Sequence, residues 1–482
     1  MPYMNKQVTV FGLHRSGVAA AKLLHKLGVH VRVTDAAPKE KLQADVQALN
    51  DIPVEFWLGG HESGCIEGVD LIVLSPGVPL DIPILQRARQ MGIPMVSELE
   101  VAASVCAAPI VAITGTKGKS TTTTLISELA QHGRFRRVCT AGNIGIPLSA
   151  EALNLTPEDL VVAEVSSFQL ETTATFRPRI SVALNLSRDH LDRHGTMAAY
   201  RAAKLKICAN QRSTDWIVLN AADTAVAGFA SETNAQAMFF SDVETLQNGA
   251  CLRDDAVVVS CDGETYEVCK RSDIRLLGRH NLQNVLAAVA VGHLLALSPD
   301  TMRAAIRGFS ASDYPALEHA FELVAAVNGV RYINDSKATN VAAVKAALAS
   351  LDAPILLIMG GYDKGNDYAP LVALVREKVK GLILLGEHTQ IIRNALARHV
   401  VTWDAATMGI AVNIAKTDAK PGDVVLLSPA NASFDMFTDY KARGQAFRKA
   451  VIEIESATMG TDTKLAQSGS ERASAAANNR EP

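Results

Sequence analysis

Short apolar, β-branched runs alternate along the chain with stretches of helical spacing, and Gly, Pro or Asp stands at nearly every junction. Residues 7–13 form such a run, 18–27 carry apolar side chains at helical spacing, and after Gly28 a second run, 29–34, ends at Asp35. The pattern predicts strand, helix, strand. Residues 69–74 repeat the strand signal and stop at Ser75-Pro76-Gly77, 84–91 read as helix, and Gly92-Ile93-Pro94 closes the unit. Pro109 precedes a buried-type strand at 110–114, which opens a second alternating series reaching to about 313, with β hairpins expected over 237–268. A third series starts near Pro315: strand 329–333, helix 341–348, strand 355–359, helix 371–379, then strands 381–385 and 424–427. Alternation of this kind predicts three tandem α/β domains. We place them at 1–105, 106–313 and 314–457, with a disordered Ser-, Ala- and charge-rich tail at 458–482.

A chain of 482 residues suits that count, and 48% hydrophobic with 20% charged residues supplies material for several cores. A net charge of −3 gives no general attraction to nucleic acid or to an anionic membrane. The longest apolar stretch, 285–297, is broken by Gly292 and His293 and is too short for a bilayer, so it reads as a buried helix. The opening residues carry too short an apolar run for a signal peptide. Seven scattered cysteines without a CxxC pair fit a reducing compartment, so a cytoplasmic protein is expected.

Chemistry concentrates after the strands. The 110–114 run leads into Gly115-Thr116-Lys117-Gly118-Lys119-Ser120-Thr121 and then a helix. In such a loop backbone N–H groups face phosphates, Lys119 offers a point charge, and the Ser120 hydroxyl can hold Mg²⁺. Ile113 stands where the general pattern has Gly, so the loop is a shortened variant. Glu164 ends a further strand, where a carboxylate beside a phosphate loop is placed for Mg²⁺, and Ser166-Ser167-Phe168-Gln169 follows it. Residues 185–194, NLSRDHLDRH, pack polar and ionisable groups directly after an apolar run, a density that suggests a site. Lys204 lies one helical turn from Tyr200 and alone indicates only a surface lysine. Asn281 and Asn284 share a helix face and could read an adenine edge or cap the helix. The first loop, 12–17, lacks the middle Gly of GxGxxG, although Asp35 sits where a ribose-binding acid would. It admits a nicotinamide dinucleotide or the diphosphate of a nucleotide sugar, with Ser75-Pro76-Gly77 lining the same crevice.

Taken together, GTKGKST, EVSSFQLE, NLSRDHLDRH, YRAAKLKI and GRHNLQN resemble the central ATPase domain of the Mur ligases, the ATP-dependent amide ligases of peptidoglycan precursor synthesis. NDSKATN (334–340), GGYDKGNDY (360–368) and LLSPANASFDMF (426–437) are similar to the branch of that family that adds D-glutamate. The resemblance implies a Rossmann-like N-terminal UDP-sugar domain, a central P-loop ATPase domain and a Rossmann-like C-terminal domain that closes over the site. It implies a monomer that joins D-glutamate to UDP-N-acetylmuramoyl-L-alanine through an acyl phosphate. Carried over by motif position, Lys119 contacts the terminal phosphates within the ATP loop 115–121, and Asn284 reads adenine near Asp335. Ser120, Thr121 and Glu164 serve one Mg²⁺, and His190 serves a second. Lys204 matches the lysine that the family carbamylates, which requires a neutral and therefore buried amine. Ser16, Asp35, Ser75 and Gly77 border the UDP site, Asn143 contacts the sugar substrate, and Ser166 and Gln169 join the substrate side. Lys337, Thr339, Lys364 and Ser433 receive D-glutamate, whose two carboxylates need cations and hydroxyl donors.

The chain departs from the family pattern at Ala320, where an arginine is usual after the histidine, so weaker ATP binding or a substitute such as Arg331 is expected. Lys117 stands where asparagine is common, and its charge could offset part of that loss. Asn431 replaces a frequent cysteine, with no effect expected. Competing readings are an NAD-dependent dehydrogenase, which leaves GTKGKST unexplained, another Mur-type or folylpolyglutamate-type ligase, and a non-catalytic relic supported only by Ala320.

Overall fold

The computed structural model describes residues 3–363 and 365–456. Lys364 and the expected tail from 458 lie outside the described residues. Among the described residues three sheets form two compact units: residues 3–275 with 281–309, and 276–280 with those described between 310 and 456.

The first unit holds two sheets. One has five parallel strands in the order Val54–Leu58, His30–Asp35, Gln7–Phe11, Leu71–Leu74, Met95–Ser97. The order reverses between Gln7–Phe11 and Leu71–Leu74, so the loops after these two strands splay apart and leave a crevice at their C-terminal ends. The other sheet has nine strands, and Ile110–Thr114 lies between Leu160–Glu164 and Ile180–Ala183. All three are parallel, with Ile113 opposite Glu164 and Thr114 opposite Ala183. Their entire burial explains the near-continuous apolar runs of the sequence. Because the register is level, the loops after the three strands emerge side by side.

The hairpin expectation for 237–268 holds only in part. Gln236–Ser241 pairs parallel with Trp216–Asn220 and with Gly249–Arg253. Only Gly249–Arg253, Ala256–Cys261 and Glu264–Lys270 form antiparallel hairpins. A strand's β-branched content does not encode the direction of its neighbour, which is why the pattern misread this segment.

Two buried glutamates in the first turn of the helix Glu98–Val105 fasten this unit internally. Glu100 accepts hydrogen bonds from the backbone N–H groups of Ala174, Thr175 and Phe176 at 2.6–3.0 Å. Glu98 accepts from Ser149 N at 2.8 Å, but its Oε2 is buried without a partner, and burial raises its pKa above the usual carboxylate range. A raised carboxyl pKa adds stability that is fully present below the unfolded-state value and is lost as pH rises through the folded value. Glu98→Gln is therefore expected to raise the melting temperature at pH 8 by about 2–4 °C, a gain that shrinks as pH falls toward 4.5. Its amide also offers a donor to Ser149 Oγ, which lacks a partner. Thermal melts of both proteins across pH 5–8 check this.

The second unit has six strands in the order Glu322–Val327, Val330–Asn334, Val424–Ala430, Ile355–Gly360, Val379–Leu385, Thr402–Ala405. All neighbours are parallel except the first pair. The loops after Val330–Asn334, Val424–Ala430 and Ile355–Gly360 consequently emerge together. All seven cysteines are free thiols. Among the described residues no helix is long and apolar enough to cross a membrane.

Candidate active site

The loop 115–118 turns from the strand Ile110–Thr114 into the helix Lys119–Gln131 through Gly118, whose φ of +85° favours glycine. A Cβ there would stand 2.3 Å from Asn284 Oδ1, so Gly118 also admits close packing against that amide. The first-turn N–H groups of a helix have no intrahelical partners, and here they open the anion-binding end of the site. Lys119 curls back, donating to the carbonyls of Gly115 at 3.0 Å and Thr116 at 3.1 Å.

Lys204 arrives at the same carbonyl from the helix Met197–Leu205, donating to Gly115 O at 2.9 Å and Thr114 Oγ1 at 3.3 Å. It is 2% exposed, far from the surface lysine its spacing alone suggested. Burial, and secondarily the Lys119 charge, hold its pKa well below the ordinary lysine range, against the pull of Asp189 and Glu164. Glu164, also 2% exposed, accepts Asn143 Nδ2 at 2.7 Å with Oε1, while its Oε2 is buried without a partner. An orphaned buried carboxylate oxygen is costly. It fits a cation held with the Ser120 and Thr121 hydroxyls, which lie in the first turn of the loop helix. Among the described residues no group of three or more His, Cys, Asp and Glu side chains converges as a metal cluster.

Asn185 is the member that sequence reasoning passed over, although it lies within the polar run 185–194. Its Oδ1 accepts from Thr116 N at 3.1 Å and Lys117 N at 2.9 Å, and its Nδ2 donates to Lys117 O at 3.0 Å. The Thr116 and Lys117 N–H groups are thus engaged by Asn185 in shaping the loop. Asn185→Ala is expected to cost about 10- to 100-fold in kcat/KM for ATP by loosening that loop, readable as a rise in the ATP KM at saturating co-substrates.

Lys117 reaches the Asp189 carboxylate at 3.6 Å. His190 holds a left-handed φ of 51° before the short helix Leu191–His194, packs edge-on to Phe168 with ring centres 4.9 Å apart, and lies 3.9 Å from Asp189. Ser166 and Gln169 form a reciprocal capping box at the helix Ser167–Leu170, with bonds of 3.0–3.2 Å, so both are engaged with each other. Asn284 is buried behind the loop, accepting from Thr122 Oγ1 at 3.2 Å and donating to Asn281 at 3.0 Å.

In the first crevice Asp35 accepts from Leu13 N at 2.7 Å and Ala37 N at 2.8 Å, and Ser75 Oγ donates to Gly12 O at 2.9 Å. Ser16 is half-buried in the first turn of the helix Arg15–Lys26, and Gly77 is exposed. The crevice is tied to the phosphate loop's neighbours within the same unit. Arg15 donates to Gly145 O, two residues from Asn143, and Arg193 joins Val78 O at 2.9 Å to the Glu171 carboxylate at 2.7 Å.

In the second unit Asp335 accepts from Phe321 N at 3.1 Å and Ser428 Oγ at 2.8 Å. Lys337 Nζ donates to Ala316 O at 3.0 Å, Thr339 is exposed, and Ser433 is buried. Arg331 sits near the start of the strand Val330–Asn334, about 13 Å along it from Asp335. In register it stands opposite Ala326, whereas Ala320 precedes Glu322 at the other end of the neighbouring strand. Asn431 is not neutral filler: its Oδ1 accepts from Asn366 Nδ2 at 2.7 Å and Tyr368 OH at 2.9 Å.

A lysine-bearing phosphate loop, a buried second lysine and an acid with an open oxygen define an ATP-using enzyme. The chain matches the models of the Mur ligase MurD-like N-terminal domain over residues 6–97, the Mur ligase middle domain over 113–292 and the Mur ligase glutamate ligase domain over 319–431. It belongs to the Mur ligase family. It is 41% identical to the UDP-N-acetylmuramoylalanine--D-glutamate ligase of Pelotomaculum thermopropionicum, across 94% of this chain and 99% of that one. It is 42% identical to the enzyme of the same name from Geobacter metallireducens, across 94% and 98%. The solved UDP-N-acetylmuramate-alanine ligase of Thermotoga maritima shares the fold, with a TM-score of 0.55, 18% identity, and coverage of 93% of this chain and 100% of that one.

Proposed function

We propose that this chain is the ATP-dependent ligase that adds D-glutamate to UDP-N-acetylmuramoyl-L-alanine in peptidoglycan precursor synthesis. The observation that carries the chemistry is the convergence of Lys119 and Lys204 on the Gly115 carbonyl, which leaves the two ammonium positions within about 6 Å of each other in a pocket shared with Glu164. Two amines so close, one of them buried, disfavour both being protonated: Lys119 keeps its charge for the triphosphate, and Lys204, its pKa lowered by burial and by Lys119, is open to carbamylation.

A carboxylate is a poor electrophile. Its oxygen attacks the terminal phosphorus of ATP, ADP leaves, and the resulting acyl phosphate is attacked by the neutral amine of D-glutamate, which loses a proton as phosphate departs. Lys119 and the first-turn N–H groups bind and orient the phosphates, so catalysis here is positioning and charge neutralisation. Mg²⁺, when bound, neutralises phosphate charge. Ser120, Thr121 and Glu164 would hold one ion, and His190 with a carbamylated Lys204 a second. Arg15 and Asn143 link the UDP crevice, bordered by Ser16, Asp35, Ser75 and Gly77, to the Glu164 carboxylate. Lys337, Thr339, Lys364 and Ser433 receive D-glutamate, and Asn284 and Asp335 serve the nucleotide. We assign 1–105 to the UDP-sugar, 106–313 to ATP and 314–457 to glutamate and closure, in a cytoplasmic monomer.

Phosphate release from ATP, measured with UDP-N-acetylmuramoyl-L-alanine with and without D-glutamate, tests the reading. Release should require both. Release with a folate acceptor, or none with D-glutamate under saturating ATP and Mg²⁺, would sink it.

A further inference from the structure

Of the residues assigned to D-glutamate, Lys337, Thr339 and Ser433 sit on loops, not on helices or strands, and loop side chains meet two carboxylates at fixed separation only if something stiffens the loops. One buried side chain spans two of them. Arg443, in the helical stretch 440–456, is 2% exposed. Its Nε donates to Ser336 Oγ at 3.0 Å, its Nη2 to Ser336 O at 2.8 Å and its Nη1 to Asn431 O at 3.0 Å. Ser336 precedes Lys337, and Asn431 lies two residues before Ser433. Asn431 extends the brace to a third loop through Asn366 and Tyr368. Gly361 makes room, since a Cβ there would stand 3.0 Å from Arg443 Nη1.

A buried guanidinium ordinarily faces a carboxylate in direct contact. None of the hydrogen bonds of Arg443 among the described residues goes to one; its partners are a hydroxyl and two carbonyls. Burial lowers its pKa to about 10, and Asp435 and Asp335 offset only part of that. Asp435 itself keeps a buried Oδ1 without a partner. Such a charge is an expensive brace for a mere fold contact, and its positive field falls on loops assigned to a dianionic substrate.

We propose that Arg443 is a positioning residue for D-glutamate, locking the Ser336 and Asn431 loops together so that Lys337 and Ser433 meet the two carboxylates. This rests on the D-glutamate reading above. Arg443→Lys keeps the charge but cannot reproduce the three-way fork. Its KM for D-glutamate is expected to rise roughly 10- to 100-fold while the KM values for ATP and the muramyl substrate stay within about twofold. Should that variant fail to fold, Ser336→Ala removes one acceptor of the fork and is expected to raise the D-glutamate KM several-fold alone. An unchanged D-glutamate KM, or a parallel rise of all three KM values, would overturn the proposal while wild-type turnover with D-glutamate leaves the functional reading standing. Wild-type protein without D-glutamate-dependent phosphate release would overturn both.

Discussion

Lys119→Ala is expected to lower kcat/KM for ATP by about 10³ or more, the loss typical of deleting a preorganised charge from a phosphoryl-transfer site. The side chain is half-buried and holds Gly115 and Thr116 by their carbonyls, so its removal empties the phosphate end of the site without opening a core cavity. A melting temperature within a few degrees of wild type, together with lost phosphate release, is the expected pair of results. Near-normal turnover would show that the shortened loop does not bind the terminal phosphates. Lys119→Arg should not restore activity, because a planar fork does not fit where a compact ammonium reaches two carbonyls.

The second large effect falls on Lys204. Lys204→Arg is expected to reduce kcat by about 10³ with little change in the ATP KM, since an arginine stays cationic and cannot become a carbamate. Carbamylation needs the neutral amine, and burial together with the Lys119 charge lowers the pKa of Lys204. The neutral fraction grows as pH rises through that lowered value, so activity should climb with pH on its acidic limb. Removing the neighbouring positive charge raises the pKa of Lys204, so whatever residual activity Lys119→Ala retains should show this limb displaced to higher pH. A carbamate carbon signal in protein exposed to labelled bicarbonate, present in wild type and absent from Lys204→Arg, tests the modification directly. Its absence from wild type would leave Lys204 as a plain buried amine.

Much of this site is legible in the sequence alone. GTKGKST lies between a buried strand and a helix, and that order is local: the residues that make the loop are also the residues that announce it. The polar run 185–194 was legible as a site for the same reason. What could not be read was the use of each polar atom. Ser166 and Gln169 cap one another, Asp35 ties down backbone N–H groups, and Asn284 packs behind Gly118. A side chain's partners depend on which loops the sheet order makes neighbours, and one sequence does not contain that order. Arg331 shows the cost of ignoring it, since residues close in number to Asp335 can stand at the far end of a strand.

The sequence by itself determined the three α/β series, the phosphate loop and the family, because periodicity and short motifs depend on neighbours in the chain. Tertiary structure alone decided that Lys204 is buried against Gly115, that Asn185 shapes the phosphate loop, that Gln236–Ser241 extends a parallel sheet and that Arg443 braces two loops. Each of these joins residues far apart in number. Burial and hydrogen bonding at such distances follow from strand register and sheet order, which arise only when the whole core packs.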